Sequence, residues 1–329
     1  MSQKSILFLG GTGVISSACV ARAVALGHDV TVLNRGRSSI RPLPDAVRSL
    51  HADVRDAAAV RDALGDHEFD VVAEFLAFTP EHVARDIAQF AGRTGQYVFI
   101  SSASAYQTPP SRLPVTESTP LRNPFWQYSR DKIACEDLLL HAYRDSGFPA
   151  TIVRPSHTYD RTSLPTMGGW TDIARMRAGK PAVVHGDGTS LWTITHNSDF
   201  AVAFVGLLGR PEAVGDNFQI TGDHAPTWDQ IYSALAGAAG VEPNLAHVAS
   251  ETIAAIYPGL GPGLLGDKAH SMVFDNSKVK ALVPEFRTTV TFADAAGDII
   301  HWFDAHPDQQ VVDTRLDAAF DRMVATIPS

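Results

Sequence analysis

The chain is poor in cysteine. Cys19 and Cys135 are the only two in 329 residues, and both fall in segments patterned as helices. No disulfide framework can be built from them, and the composition suits a reducing compartment. Long apolar runs are also missing: none approaches the ~20 residues of a membrane span. The run Ile6–Leu9 after Lys4 is too short for a secretory signal core and passes straight into a glycine turn, so the expected compartment is the cytoplasm. Positive charge is in deficit, with 27 Lys and Arg against 36 Asp and Glu and a net charge of −9. That balance disfavours nucleic acid and anionic membranes as partners. The thirteen histidines show no metal-ligand spacing, so no metal site is expected. Neither a repeat nor a low-complexity segment is visible, and 45% hydrophobic content excludes a disordered chain.

What the chain does hold is a glycine turn at its start. Ile6-Leu7-Phe8-Leu9 is too brief for a helix and meets Gly10-Gly11-Thr12-Gly13, after which a helix-compatible segment reaches about Leu26. Strand, tight turn and helix in this order aim backbone N–H groups and a helix N-terminus at a phosphate. Gly10 permits the turn, and Gly13 lets the backbone approach a pyrophosphate with no Cβ in the way. Thr12, Val14 and Ile15 complete the candidate contacts, while Ser16 stands where a third glycine is usual. Glycine turns also occur without ligands, but this one follows a strand and opens a helix, which favours a dinucleotide.

Strands and helices then alternate. His28–Leu33, Ala46–His51, Phe69–Phe75, Gln96–Ser101 and Ala150–Val153 read as strands. Asp56–Leu64 (Asp56 as N-cap), Pro80–Ala91 and Gln127–Ser146, ended by Gly147, read as helices. The spacing predicts an α/β fold with a doubly wound parallel sheet of Rossmann type over residues 1–155. Beyond Arg154-Pro155 the pattern turns irregular, as in Pro258-Gly259-Leu260-Gly261-Pro262-Gly263. Residues 156–329 are therefore expected to form a smaller substrate-binding lobe, with 216–222 returning to the main sheet.

Ligands of such a sheet sit beyond the carboxyl ends of its strands. At the end of the second strand a free ribose 2′-hydroxyl would want Asp or Glu, but the chain offers Asn34-Arg35-Gly36-Arg37. Arginine can grip a 2′-phosphate, so NADP is favoured over NAD; the plain alternative is solvated loop charge. Asp53, followed by Val54, could accept from the adenine amino group or serve only the local turn. Tyr128 and Lys132 lie four residues apart on the long helix and share a face. An ammonium ~5 Å from a phenol at an effective dielectric of ~20 favours phenolate by about 3 kcal/mol, roughly two pKa units. Such a tyrosine can exchange a proton with a carbonyl or alcohol oxygen, and Ser102 could hold that oxygen by hydrogen bond.

Together with Ala52-Asp53-Val54-Arg55-Asp56, Tyr97–Tyr106, Arg154-Pro155-Ser156, Gly186-Asp187-Gly188 and His196–Ala201, these motifs carry a resemblance over nearly the whole length. The chain resembles the extended short-chain dehydrogenases/reductases, the NAD-dependent epimerase/dehydratase family. The resemblance implies that Tyr128 is the acid/base, that Lys132 binds the nicotinamide ribose and tunes Tyr128, and that Ser102 orients the reacting oxygen. It also lays the loop after Arg154-Pro155 over the nicotinamide, with Pro155 and His157 as contacts. Three departures stand out. Ser16 replaces glycine, and Ala73-Glu74-Phe75-Leu76-Ala77 replaces a strand end in which Asn is usual. Trp192, in Trp192-Thr193-Ile194-Thr195-His196, stands where nucleotide-sugar enzymes carry a diphosphate-gripping arginine. An indole cannot pair with a diphosphate, unless Arg161, Arg175 or Arg177 takes over.

The sequence thus predicts an NAD(P)-dependent oxidoreductase acting on a carbonyl or alcohol centre of a small molecule. The alternatives are a nucleotide-sugar epimerase or dehydratase, a non-catalytic NAD(P)-sensing regulator, and an RNA-binding family member. Trp192, His157, Tyr159 and Trp170 suggest an aromatic-walled cleft, while Asp267-Lys268 reads as turn and helix-start chemistry with no catalytic role. Apolar residues on more than one face of Pro80–Ala91 (Val83, Ile87, Phe90) and Gln127–Ser146 (Ile133, Leu138, Leu139, Leu140, Tyr143) predict a homodimer.

Overall fold

The computed structural model describes residues 2–38 and 40–327. Strands β1 (Ser5–Leu9), β2 (Asp29–Asn34), β3 (Arg48–His51), β4 (Phe69–Glu74), β5 (Thr94–Ile100) and β6 (Ala150–Pro155) run parallel in one sheet. Strands β7 (His157–Tyr159) and β9 (Ile194–His196) pair with each other, as do β8 (Ala182–His185) and β11 (Leu245–Val248). β10 (Asn217–Ile220) lies beside β6 as the seventh strand of the main sheet. Its order is β10-β6-β5-β4-β1-β2-β3, so the winding reverses between β1 and β4. A crevice opens at such a reversal, beyond the carboxyl ends of the two strands.

Both faces of the sheet are covered, which is why its strands read as unbroken apolar runs; Ile6, Leu7 and Phe8 are fully buried. Helices α1 (Val14–Ala25), α2 (Ala57–Leu64), α3 (Pro80–Phe90) and α4 (Gln127–Ser146) connect the first half. They are joined by α5 (Trp170–Arg177), α6 (Asn197–Leu207) and α7 (Trp228–Ala238). One core packs α1 and α6 under Phe8, Val32 and Phe218, together with Val279, Val283 and Phe286. The opposite core sets Leu7, Leu9, Val72 and Tyr97 against α2–α4 through Val60, Phe90 and Leu139. The Rossmann layer therefore draws residues from well past Pro155. A third core, rich in tryptophan (Trp170, Trp192, Trp228), holds α5, α7 and helix Phe292–Ala305 around Tyr232 and Phe274.

Caps fix the elements that matter for the site. Asp56 accepts from the N–H groups of Ala58 and Ala59 at 3.0 and 3.1 Å and starts α2. Gly147, at φ 69°, ends α4 in the left-handed conformation. Ser16 is more than a small spacer: its Oγ accepts from the Gly13 N–H at 2.9 Å, closing the entry to α1. Glu136 of α4 pairs with Arg154 of β6 at 2.5 Å, both buried, and also binds the Ser101 hydroxyl. That link fixes the helix carrying Tyr128 against the strand end carrying Ser102.

The two helices expected to need a partner cover each other to a large extent. Val83, Phe90 and Leu139 are buried, Ile87, Leu138 and Leu140 pack partly against that core, and Tyr143 is exposed. Among the described residues no helix is long and apolar enough to cross a membrane.

Candidate active site

Two connected cavities occupy the carboxyl side of the sheet. The first, of about 500 Å³, runs along the crevice between β1 and β4 and is lined by Gly10, Thr12, Gly13, Val14, Ile15, Asn34, Arg35, Asp53 and Val54. It brings together every expected cofactor contact from the first four strands. Gly10 and Gly11 both adopt positive φ, 110° and 121°, so two glycines rather than Gly10 alone make the turn. A Cβ on Gly11 would stand 2.8 Å from Val32 Cγ1, which brings this turn hard against β2. Among the described residues no side chain caps the first turn of α1 beyond the Ser16 contact, and Gly13, Val14, Ile15 and Ser16 of this helix start line the groove.

Arg35 and Arg37 lie exposed at the groove mouth. Among the described residues neither has a hydrogen-bond or ion-pair partner, and no carboxylate stands at the end of β2. Asn34 Oδ1 accepts from the Gly36 N–H at 2.7 Å, which fixes this loop. Asp53 Oδ1 accepts from the Arg55 N–H at 3.0 Å and so does serve the local turn. The residue also lines the groove.

The second cavity, of about 380 Å³, shares Ile15 and Ile100 with the first. It holds Ser102 and Tyr128, with Pro155, Ser156 and His157 on its wall. The Ser102 hydroxyl stands near enough to Tyr128 to favour the charged form of its phenol. Ser102 Oγ also lies 2.9 Å from Ser104 Oγ, which takes a hydrogen bond from Ser129 at 2.7 Å. Lys132 sits beneath this cavity and is 2% exposed. Its ammonium donates to the carbonyls of Ala77 and Ile100, both at 2.7 Å.

The expected lowering of the Tyr128 pKa by Lys132 is not what the geometry produces. Burial raises the phenol above its ordinary value, and the neighbouring Ser102 hydroxyl pulls it back in part. The Lys132 ammonium points at two carbonyls and stands 5.8 Å from the tyrosine ring centroid, so it does not address the phenol oxygen. Burial also pushes Lys132 itself down to about 8. Desolvation, which a sequence does not display, outweighs the pairwise attraction here.

Several wall residues differ from expectation. Trp192 and His157 do line the cleft, their rings 6.4 Å apart. Burial, with the nearby Lys268 charge, pushes His157 down to about 3, so it is a neutral imidazole. Trp170 is instead stacked on Phe303 at 5.1 Å in the lobe core, and Tyr159 is buried between His196 and Phe292. Both are packing residues because β7 and α5 turn those side chains away from the opening. His196 caps α6, its Nδ1 accepting from the Ser198 N–H at 3.3 Å, and lines a different cavity.

Asp267 and Lys268, read as turn chemistry, belong to the cleft wall together with Trp126, Met272 and Phe274. They end a π-helical turn, Leu264–Lys268, that Asn123 ties to Ser104 by donating to Gly266 O and Ser104 O at 2.6 and 2.9 Å. The Lys268 ammonium lies 3.6 Å from Asp267 and within 5.8 and 5.7 Å of the Trp126 and Trp192 rings. Only the glycine-rich run just before them hinted at unusual backbone. Among the described residues no arginine lines this cleft. Arg175 is engaged by Asp317 and Asp321, Arg177 by Asp304, and Arg161 is exposed beside another cavity. No group of three or more His, Cys, Asp or Glu among the described residues could hold a metal.

This arrangement agrees with what the chain is similar to. A family model, the NAD dependent epimerase/dehydratase family, matches residues 6–221. The chain belongs to that family. It is 30% identical over 259 residues to the chloroplast stem-loop binding protein of 41 kDa b from Arabidopsis thaliana, covering 75% of this chain and 66% of that protein. It is 28% identical over 251 residues to 2′-dehydrokanamycin reductase from Streptomyces kanamyceticus, covering 75% and 70%. The chain thus spans about two thirds of these two family members. In structure it is similar to Epimerase Mth375 from Methanothermobacter thermautotrophicus, with TM-score 0.77, 14% identity and 94% of both chains covered. It also matches UDP-glucose 4-epimerase from Bifidobacterium longum in complex with NAD+ and UDP, with TM-score 0.71, 21% identity and 92% and 99% covered. Family members of this fold include epimerases, dehydratases and a reductase.

Proposed function

We propose that the chain is an NAD(P)-dependent oxidoreductase acting at a carbonyl or alcohol carbon of a small molecule. The observation that carries this reading is that Ser102 and Tyr128 line one cavity, which adjoins the glycine-lined groove at Ile15 and Ile100. The groove suits a dinucleotide: its turn is cradled against Val32 by glycine, and a helix N-terminus opens into it. Gly10, Thr12, Gly13, Val14 and Ile15 would hold the pyrophosphate and Asp53 and Val54 the adenine. Lys132, Pro155 and His157 would hold the nicotinamide riboside. When bound, that cofactor supplies or accepts the hydride. Ser102 holds the substrate oxygen, and Tyr128 gives it a proton on reduction or takes one on oxidation. Exposed Arg35, with no acid at the end of β2, favours the 2′-phosphate of NADP.

Trp126, Trp192 and Phe274 on the wall, with Lys268 as the only cation there among the described residues, favour a substrate without a nucleotide handle. The competing reading, a nucleotide-sugar epimerase or dehydratase, draws on relatives named as UDP-glucose 4-epimerases. A thermal-shift screen separates the two: stabilisation by UDP, dTDP or GDP would overturn our preference, because only a ligand that binds the folded state raises its melting point. The catalytic reading is tested by NADPH consumption with a panel of carbonyl compounds. Tyr128→Phe should bind NADPH as the wild type does and lose most turnover; wild-type rates would refute the assignment. The reading includes a homodimer through α3 and α4, and a light-scattering mass of one chain would reject it. It excludes RNA as a ligand, so a salt-sensitive RNA mobility shift would count against it.

A further inference from the structure

Beneath the groove lies a buried acid that proton transfer does not use. Glu74 ends β4 and is 2% exposed. Its Oε1 accepts from the N–H groups of Leu76 and Ala77, the latter at 2.6 Å. The same turn is gripped from two other sides. Arg55 Nη2 donates to Leu76 O at 2.5 Å, and Lys132 Nζ donates to Ala77 O at 2.7 Å. Phe75 and Leu76 line the cofactor groove, so this turn shapes its wall.

On its other side Glu74 has the Asp86 carboxyl of α3 as its neighbouring acid. Asp86 accepts the Tyr97 hydroxyl of β5 at 2.7 Å and lies near Arg55 and Arg85. Lys132 of α4 is the cation facing Glu74, and Cys135 and Glu136 are the further ionisable groups near Lys132. Two carboxyl groups in contact in a dry site cannot both ionise at neutral pH. Asp86 has two guanidinium groups and a phenol to stabilise its charge, so the shared proton stays on Glu74. In agreement, burial holds Glu74 well above its ordinary value, while Asp86 rises only to about 6.

We propose that Glu74 is a positioning residue for the nicotinamide half of the cofactor site. It braces the Leu76–Ala77 turn through two N–H groups, and the turn presents Ala77 O to the ammonium of Lys132. This rests on the cofactor reading above. It accounts for an acid at the strand end Ala73–Ala77, where the family usually carries Asn.

The test is fluorescence titration with NADPH, set beside 2′-phospho-ADP as a probe of the adenosine half alone. Glu74→Ala leaves two N–H groups without an acceptor and should weaken NADPH binding ~10-fold, with 2′-phospho-ADP binding unchanged. Glu74→Gln should match the wild type, because its amide oxygen accepts both N–H groups and its NH₂ donates to Asp86. Glu74→Asp, one carbon short of the turn, should behave as Glu74→Ala and serves if the alanine variant does not fold. Equal weakening of both ligands, or a Gln variant as weak as Ala, would show a merely structural role and overturn the proposal. An unaffected Ala or Asp variant would overturn it too. Wild-type protein that binds 2′-phospho-ADP but not NADPH would refute the positioning claim alone; binding neither would refute the cofactor reading beneath it.

Discussion

Lys132→Met should weaken cofactor binding and turnover and change how the stability of the free protein depends on pH. The wild-type ammonium is buried, and burial brings it from 10.5 down to about 8. A shift of about 2.5 units corresponds to about 3 kcal/mol favouring the neutral form in the folded state. Between pH 8 and 10.5 the unfolded chain keeps a proton on Lys132 that the folded chain has released. Folding stability from this group therefore rises with pH through that window, and its cost is present in full below pH 8. Methionine carries no proton, so the wild-type protein should gain on the variant by about 3 kcal/mol from pH 8 to 10.5. At pH 7 the variant escapes the charge cost but forfeits two charge-assisted hydrogen bonds, to Ala77 O and Ile100 O, at about 1.5–3 kcal/mol each. The net expectation at pH 7 is a variant between equally stable and about 3 kcal/mol less stable than the wild type. Urea unfolding of both proteins at pH 7, 8, 9 and 10, without cofactor, measures the difference. Burial also raises Cys135, to about 12, and Cys19, but both occur in either protein and largely cancel in the comparison. A stability difference that stays flat with pH, or moves the other way, would refute the buried-ammonium argument.

Three other outcomes follow from the same geometry. Arg35→Ala should cost NADPH about tenfold or more in affinity and leave NADH unchanged, by calorimetric titration; equal binding of both by the wild type would remove the basis for it. Gly11→Ala should destabilise the fold by about 1–3 kcal/mol, because alanine is strained at φ 121° and its Cβ meets Val32 at 2.8 Å; an unchanged melting temperature would contradict this. Lys268→Met should raise KM for the physiological substrate with kcat nearly unchanged, and an unaltered KM would take Lys268 out of substrate binding.

The legible part of the fold is the part whose physics is local. A short apolar run, glycine at a turn and an N-cap such as Asp56 act within a few residues, and the strand–helix alternation that they punctuate is the Rossmann half. Boundaries slipped by one or two residues where pairing decides them: β6 runs to Pro155 because β10 lies beside it and extends the ladder. The second half was harder to read because its core is built from distant pieces. Trp170 and Tyr159 look like cleft residues when only their aromatic character is known. They become packing residues once Phe303 and Phe292 arrive from more than a hundred residues away.

The site follows the same division. Ser102, Tyr128 and the glycine turn sit at strand ends and on one helix face, which spacing can specify. The charge states of the site are set by burial, which spacing does not specify, so spacing alone predicts the Tyr128 shift in the wrong direction. Asp267 and Lys268 show the deeper reason. Beyond the glycine-rich run before them, nothing in their own neighbourhood marks them, since the turn that carries them is held at the cleft by Asn123, which binds both Gly266 O and Ser104 O. A residue whose role depends on a bridge between segments 143 positions apart has no local signature. The substrate-facing wall of this fold is assembled largely from such residues. The side of the cavity that handles the proton can thus be read from motifs, whereas the side that selects the substrate has to be seen assembled.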